Sequence, residues 1–187
     1  MGDVAFLTCR GGWPKAKGQP KELALQQAQD YVDAVVESDI SRVDGVRRDP
    51  ERVCMLMRSY ARMTASQGSY ETMLRDVAKL GLSFGRTSFL EYVAALKRLF
   101  VTDDLGEWNP NLRAKEDIRT SPTRHFVDPS IATAALGAGP GDLMGDLNTF
   151  GLVFESPCVS SQSEYDVKIF VAFASGASYD SSRMRGG

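Results

Sequence analysis

Asp166, Val167 and Lys168 form the sharpest chemical signal in the chain. A carboxylate and a lysine two residues apart on an apolar strand is how endonuclease-like folds hold magnesium and orient the attacking water. Such a site needs a second carboxylate on a neighbouring strand, and Glu155 and Glu164 are the acids on offer. Strings of this kind are common, and an exposed, alternating edge strand accounts for this one more simply. No catalytic residue, cofactor-binding residue or metal ligand is therefore assigned. His125, the single histidine, lies between Arg124 and an apolar pair, with no Cys, Asp or Ser at a catalytic spacing, and reads as structural. Cys9, Cys54 and Cys158 are odd in number and far apart, which suits neither a disulfide framework nor a zinc site. They read as thiols in a reducing compartment. No Gly-x-x-x-x-Gly-Lys-Ser/Thr string occurs, so there is no loop of backbone amides to cradle phosphates, and ATP hydrolysis by this chain is not expected.

The elements that would position any binding residue are mainly helical. Gly and Pro density over residues 1–20 reads as an extended lead-in, in spite of the apolar run Val4 to Leu7. Residues 21–38 carry Leu25, Ala28, Tyr31, Val32, Val35 and Val36 at helical intervals. A second helix begins with Asp49 as cap and Pro50 in its first turn, and presents Val53, Leu56, Met57, Tyr60 and Ala61. Ser69 and Thr72 open a shorter one with Leu74, Val77 and Ala78, closed by Gly81. A fourth places Phe89, Leu90, Val93, Leu96 and Phe100 on its apolar side and runs into β-prone residues 99–102. Two short helices joined by a turn and followed by such a segment predict a helix-turn-helix with a wing. Further on come a short strand at His125, Phe126 and Val127, a small helix over 131–136, and another over 141–155. The serine-rich remainder is broken by Pro157, and only 167–174 looks like a strand.

On that framework Arg86, Thr87 and Ser88 would open the recognition helix, with Lys97, Arg98 and Arg75 near phosphates. Glu91, Asp103 and Asp104 stand close by and weigh against it. Folds of this shape also serve as protein-binding modules. Arg48, Arg52, Arg58 and Arg62, spaced in pairs four apart, could dock a partner or pair with the interleaved Asp39, Asp44, Asp49 and Glu51. Trp13 and Trp108 read as loop-packing residues. With 22 basic against 24 acidic residues, a surface wholly devoted to nucleic acid is excluded, though a local basic face is not.

Several strings together resemble the C-terminal domain of unknown function found in prokaryotic AAA+ superfamily ATPases. They are Gly11-Gly12-Trp13-Pro14, ESDISRVDGVRR at 37–48, Arg58-Ser59-Tyr60-Ala61-Arg62 and Arg98-Leu99-Phe100-Val101. They continue with Trp108-Asn109-Pro110-Asn111-Leu112-Arg113, SPTRHFVDPS at 121–130 and FGLVFES at 150–156. The resemblance implies a winged-helix-like part at 21–120 and a truncated, restriction-endonuclease-like α/β remnant at 121–187, so a mainly α fold with a short, incomplete sheet. Its break after Ser156 implies a truncated or frameshifted tail. It further implies a non-catalytic accessory fragment that binds the ATPase module of its parent protein, with ATP and magnesium belonging to the parent and no cofactor here. DNA binding is the alternative, and a nuclease-like enzyme the third reading. The chain is expected to be cytoplasmic, with no membrane contact, and homo-oligomeric through a sheet edge or apolar face.

Overall fold

The computed structural model describes residues 1–105 and 121–160, the last five through their backbone alone. Among these residues the chain is mainly helical and has no sheet. It opens with helix α1 (Gly2–Arg10), where an extended lead-in was expected. Ala5, Thr8 and Cys9 are buried along one side of α1, and tertiary packing of that face outweighs the Gly and Pro density that follows.

Helix α2 (Lys21–Ala34) buries Ala24, Ala28 and Val32 at four-residue intervals. It widens over Val35–Asp39 into a π-helical turn and ends in the single turn α3 (Ile40–Arg42). The wider turn adds a residue to the repeat, so Val35 and Ile40, five apart, both reach the core.

Helix α4 (Pro50–Arg62) starts as its sequence predicts: the Asp49 carboxylate accepts the Glu51 amide at 3.0 Å, and Pro50 takes the first position. Val53, Leu56, Met57, Tyr60 and Ala61 are all buried. In α5 (Tyr70–Lys79) the Ser69 hydroxyl accepts the Thr72 amide at 3.2 Å. Its buried face is Met73 and Val77, while Leu74 is half-buried and Ala78 exposed. Helix α6 (Arg86–Arg98) buries Phe89, Tyr92, Val93, Ala95 and Leu96. Leu90 and Phe100, expected on its apolar side, are exposed. Edge-on contacts of Phe89 with Tyr70 and Phe84, and of Tyr92 with Phe84, hold that face of α6 on the core, and Leu90, one position round the helix from Phe89, faces solvent.

In place of a strand at 125–127, isolated antiparallel bridges join Thr102 to Phe126 and Leu105 to Thr123. The Asp103 amide donates to the His125 carbonyl at 2.8 Å, and the Val127 amide to that of Val101 at 3.2 Å. Helix α7 (Pro129–Leu136) follows, ended by Gly137 at φ 69° in the left-handed region. Residues 141–155, expected as one helix, divide between α8 (Pro140–Gly145) and α9 (Leu147–Ser160). They part at Asp146, whose carboxylate accepts the Thr149 amide at 3.1 Å and hydroxyl at 2.6 Å, capping α9. Pro157 was expected to break the chain's order; α9 instead runs past it to Ser160, without the backbone hydrogen bond that a proline nitrogen cannot donate.

The main core joins Val32, Ile40, Leu56, Met57 and Leu96 to Phe126, Ile131 and Val153. A smaller cluster packs Ala5 and Cys9 of α1 against Leu143 of α8 and Phe150 of α9. No described helix is long and apolar enough to cross a membrane.

Candidate functional site

The residues nominated for nucleic-acid contact divide between two ends of α6. At its start, Arg86 and Arg75 line one cleft of about 430 Å³ with Leu74, Ser83 and Phe84. Arg86 is 72% exposed and pairs with Glu71 at 3.1 Å, also on the surface. Arg75 hydrogen-bonds only within its own helix, to the Glu71 carbonyl and the Thr72 hydroxyl, both at 3.3 Å. Lys79 stands one turn further along α5, exposed. Arg52 approaches from α4, its guanidinium 5.3 Å from the centre of the Phe84 ring, with Asp49 at 3.7 Å. Thr87 is exposed and Ser88 half-buried beside them. Gly85, the N-cap, brings no side-chain acceptor to the first amides of α6. The α5–α6 turn therefore gathers cations around a concave surface.

At the far end of α6 the cations are engaged internally. Lys97 pairs with Asp104 at 2.6 Å, and Arg98 with Asp44 at 3.5 Å. Asp104 is the hub of a buried network: it also accepts the Tyr60 hydroxyl and the guanidinium of Arg124 in very short bonds. Arg124 donates to the Gly68 carbonyl at 3.0 Å and lies 4.3 Å from the centre of the Tyr70 ring. Burial, reinforced by the Asp104 charge, holds the Tyr60 hydroxyl well above the usual phenol range. Burial lowers His125, whose side chain faces the charges of Glu155, Asp104 and Asp103.

The nominated partner-docking arginines scatter likewise. Arg48 is buried, donating to both Asp44 oxygens at 2.7 Å and to the Ile40 carbonyl at 2.8 Å. Its hydrogen bond holds the Asp44 carboxyl well below the usual carboxylate range. Arg62 pairs with Asp76 at 3.0 Å. Arg58 is exposed and meets no acid among the described residues. Trp108 and the Asp166 to Lys168 string lie outside the described residues, as do Glu164 and the side chain of Cys158. The Cys9 thiol is pushed up to about 11 by burial, which leaves it protonated and unreactive at neutral pH, while Cys54 is exposed.

Sequence reasoning missed why the motif strings occur together. The Gly12 amide donates to Asp128 at 2.8 Å, and the Trp13 indole to the Ser130 hydroxyl at 2.8 Å. The Ser130 amide and hydroxyl both donate to the same Asp128 carboxylate, at 2.8 and 2.6 Å. The Gly-Gly-Trp string is thereby clamped onto the N-terminus of α7. Gly11 turns the chain at φ 70°, where a Cβ would fall 2.3 Å from the Ser130 hydroxyl. Tyr60 and Arg124, from two further strings, meet at Asp104. Neither Asp104 nor Tyr70 carries a sequence signal that would have marked it in advance.

Among the described residues no three His, Cys, Asp or Glu side chains converge as a metal site would require. The molecule is thus a mainly helical protein in which Arg75 and Arg86 share one concave turn, with Arg52 and Lys79 beside it. It belongs to the family described as domain of unknown function DUF8612, whose model matches residues 1–142. No curated protein matches the chain, and no solved structure does.

Proposed function

We propose that this chain is a non-catalytic binding module, the accessory part of an AAA+ superfamily ATPase as its motif resemblance implies, and that its α5–α6 unit contacts the phosphate backbone of duplex DNA. One observation carries the DNA reading: Arg75 and Arg86 line a single cleft at the start of α6, with Lys79 a turn away. Arg75 and Lys79 meet no carboxylate among the described residues, so their charges are available to phosphates whatever the base sequence. The succession of α4, α5, α6 and the antiparallel pairing of 101–105 with 123–127 supports a winged-helix-like reading of this unit. ATP and magnesium belong, in this reading, to the ATPase module of the parent protein.

Fluorescence anisotropy with labelled duplex tests it. Binding should weaken steeply with salt, and Arg75→Ala or Arg86→Ala should each lower the salt slope by about one unit per lost phosphate contact. Arg98→Ala, far along α6 and paired with Asp44, should leave the slope unchanged. Absence of salt-dependent binding at micromolar protein, or equal effects of all three substitutions, overturns the DNA contact. The exposure of Arg58 without an acidic partner among the described residues favours a second reading, docking on the ATPase module itself. Arg58→Glu should then abolish co-purification with that module while leaving anisotropy unchanged.

A further inference from the structure

The α5–α6 cleft holds more than the cations that a phosphate backbone uses. Leu74 and Ala78 of α5, and Leu82 and Phe84 of the turn, line it together with Arg75 and Arg86. Leu74, Leu82 and Phe84 are half-buried and Ala78 is exposed, so open apolar surface shares the cleft with two guanidinium groups. A phosphate contact gains nothing from such walls, whereas an apolar side chain seated against them leaves water. The turn also has backbone to offer. Beyond Gly81, at φ 92°, the chain crosses to α6 outside any helix or strand. The amides and carbonyls of Leu82, Ser83 and Phe84 hydrogen-bond to no other group among the described residues. Backbone left to water along the wall of a cleft is what an extended peptide pairs with when it binds through its own main chain, its side chains filling the pockets beside it.

Charge selects which peptide. The cleft is lined by two arginines and no carboxylate. Arg75 meets no acid among the described residues. Arg86 meets Glu71 in a pair whose side chains are 72% and 55% exposed, and a ligand carboxylate can take the place of so exposed a partner at little cost. Asp76, the other acid of α5, is held by Arg62 of α4 at 3.0 Å. A guanidinium grips a carboxylate through paired N–H donors, so the lining attracts Asp and Glu and repels Lys and Arg.

We infer that the α5–α6 cleft is a docking site for an extended acidic segment of a partner protein, one that carries an apolar side chain next to Asp or Glu. The apolar side chain seats against Ala78 and Leu82, and the carboxylates pair with Arg75 and Arg86. The inference goes beyond the DNA contact and stands without it. Both ligands draw on the same two arginines, so the segment and duplex DNA exclude one another, and the partner regulates the DNA contact by competition.

The test uses the full chain and two labelled synthetic peptides of about eight residues, identical in their Asp and Glu and carrying either leucine or serine at the anchor positions. The leucine peptide should bind with a Kd in the micromolar range, weaken about tenfold from low to high salt, and bind about tenfold more tightly than the serine peptide. Leu82→Ser, at a half-buried position outside the main core, should weaken the leucine peptide several-fold and leave the serine peptide unchanged. Arg75→Ala should weaken both peptides alike. Ala78→Glu, which sets a carboxylate in the cleft from an exposed helical position, should abolish binding of both with an unchanged circular dichroism spectrum. Equal binding of the two peptides, no binding of either, or indifference of the leucine peptide to Leu82→Ser overturns the proposal. So does light scattering that shows a dimer dissolved by Ala78→Glu, since a second copy would then occupy the cleft. Duplex binding without peptide binding upholds the DNA reading and overturns this one, and peptide binding without duplex binding does the reverse. Where both bind, unlabelled duplex should displace the leucine peptide, and a peptide that stays bound beside saturating duplex overturns the shared use of Arg75 and Arg86.

Discussion

Gly11 occupies a left-handed backbone position with two side chains pressed where a Cβ would lie, Ser130 Oγ at 2.3 Å and Asp128 Oδ1 at 2.4 Å. Gly18 has a similar φ of 79° and nothing within 4 Å. Alanine at Gly18 should therefore cost about 1 kcal/mol, from backbone strain alone, whereas Gly11→Ala should cost about 2 kcal/mol or more, because the clamp on α7 must also open. Urea denaturation of the two variants separates strain from clash. Asp44 and His125 set the behaviour in acid. The Asp44 carboxyl is lowered by its hydrogen bond from Arg48, so its stabilisation is complete above the unfolded value near 4 and is lost as pH falls through the lower folded value. The stability gap between wild type and Asp44→Asn should narrow steadily below about pH 4 in equilibrium unfolding. His125 is lowered by burial, so the unfolded chain takes up its proton first, and stability should begin to fall as pH drops below about 6.5. His125→Gln should remove that slope between neutral pH and the onset of carboxylate protonation.

Among the elements, Asp104 ties three together: α4 through Tyr60, α6 through Lys97, and the segment before α7 through Arg124. The Asp104 and Arg124 side chains are 5% and 2% exposed, so removing the carboxylate strands a buried guanidinium. Asp104→Ala should destabilise the protein by about 3–5 kcal/mol, the cost of an uncompensated buried charge. Tyr60→Phe, which removes one hydrogen bond and keeps the ring's contact with Phe126, should cost about 1 kcal/mol. Arg124→Met together with Asp104→Leu should recover part of the loss, since the buried guanidinium is gone and Lys97, 40% exposed, can turn to solvent, while the Tyr60 hydroxyl loses the carboxylate as acceptor. Thermal melts of the three variants order these outcomes, and a mild Asp104→Ala would show that water reaches the network.

For the molecule as a whole, the main core draws on α2, α4 and α6 from one side of position 120 and on α7 and α9 from the other. Unfolding of the described core should be a single transition. Ile131→Ala, at a fully buried position in α7, should lower stability by about 3 kcal/mol and shift near-ultraviolet and far-ultraviolet transitions together. Two separate melts would contradict a shared core. The chain's own residues determine much of its local structure. Asp49 with Pro50 and Ser69 with Thr72 mark helix starts that need no tertiary information, because caps act within one turn. The stripe of α4 was equally legible, since its apolar residues keep one helical period throughout. Tertiary packing decided the rest. It made α1 helical by burying Ala5 and Cys9, turned α5 onto Met73, and left Leu90 and Phe100 in solvent. It also chose which cations are free for a partner. Lys97, Arg48 and Arg62 look like Arg75 and Lys79 in the sequence, and only the positions of Asp104, Asp44 and Asp76 in the fold tell them apart. A helical period is a property of neighbouring residues, whereas the pairing of a charge depends on which carboxylate the fold carries to it.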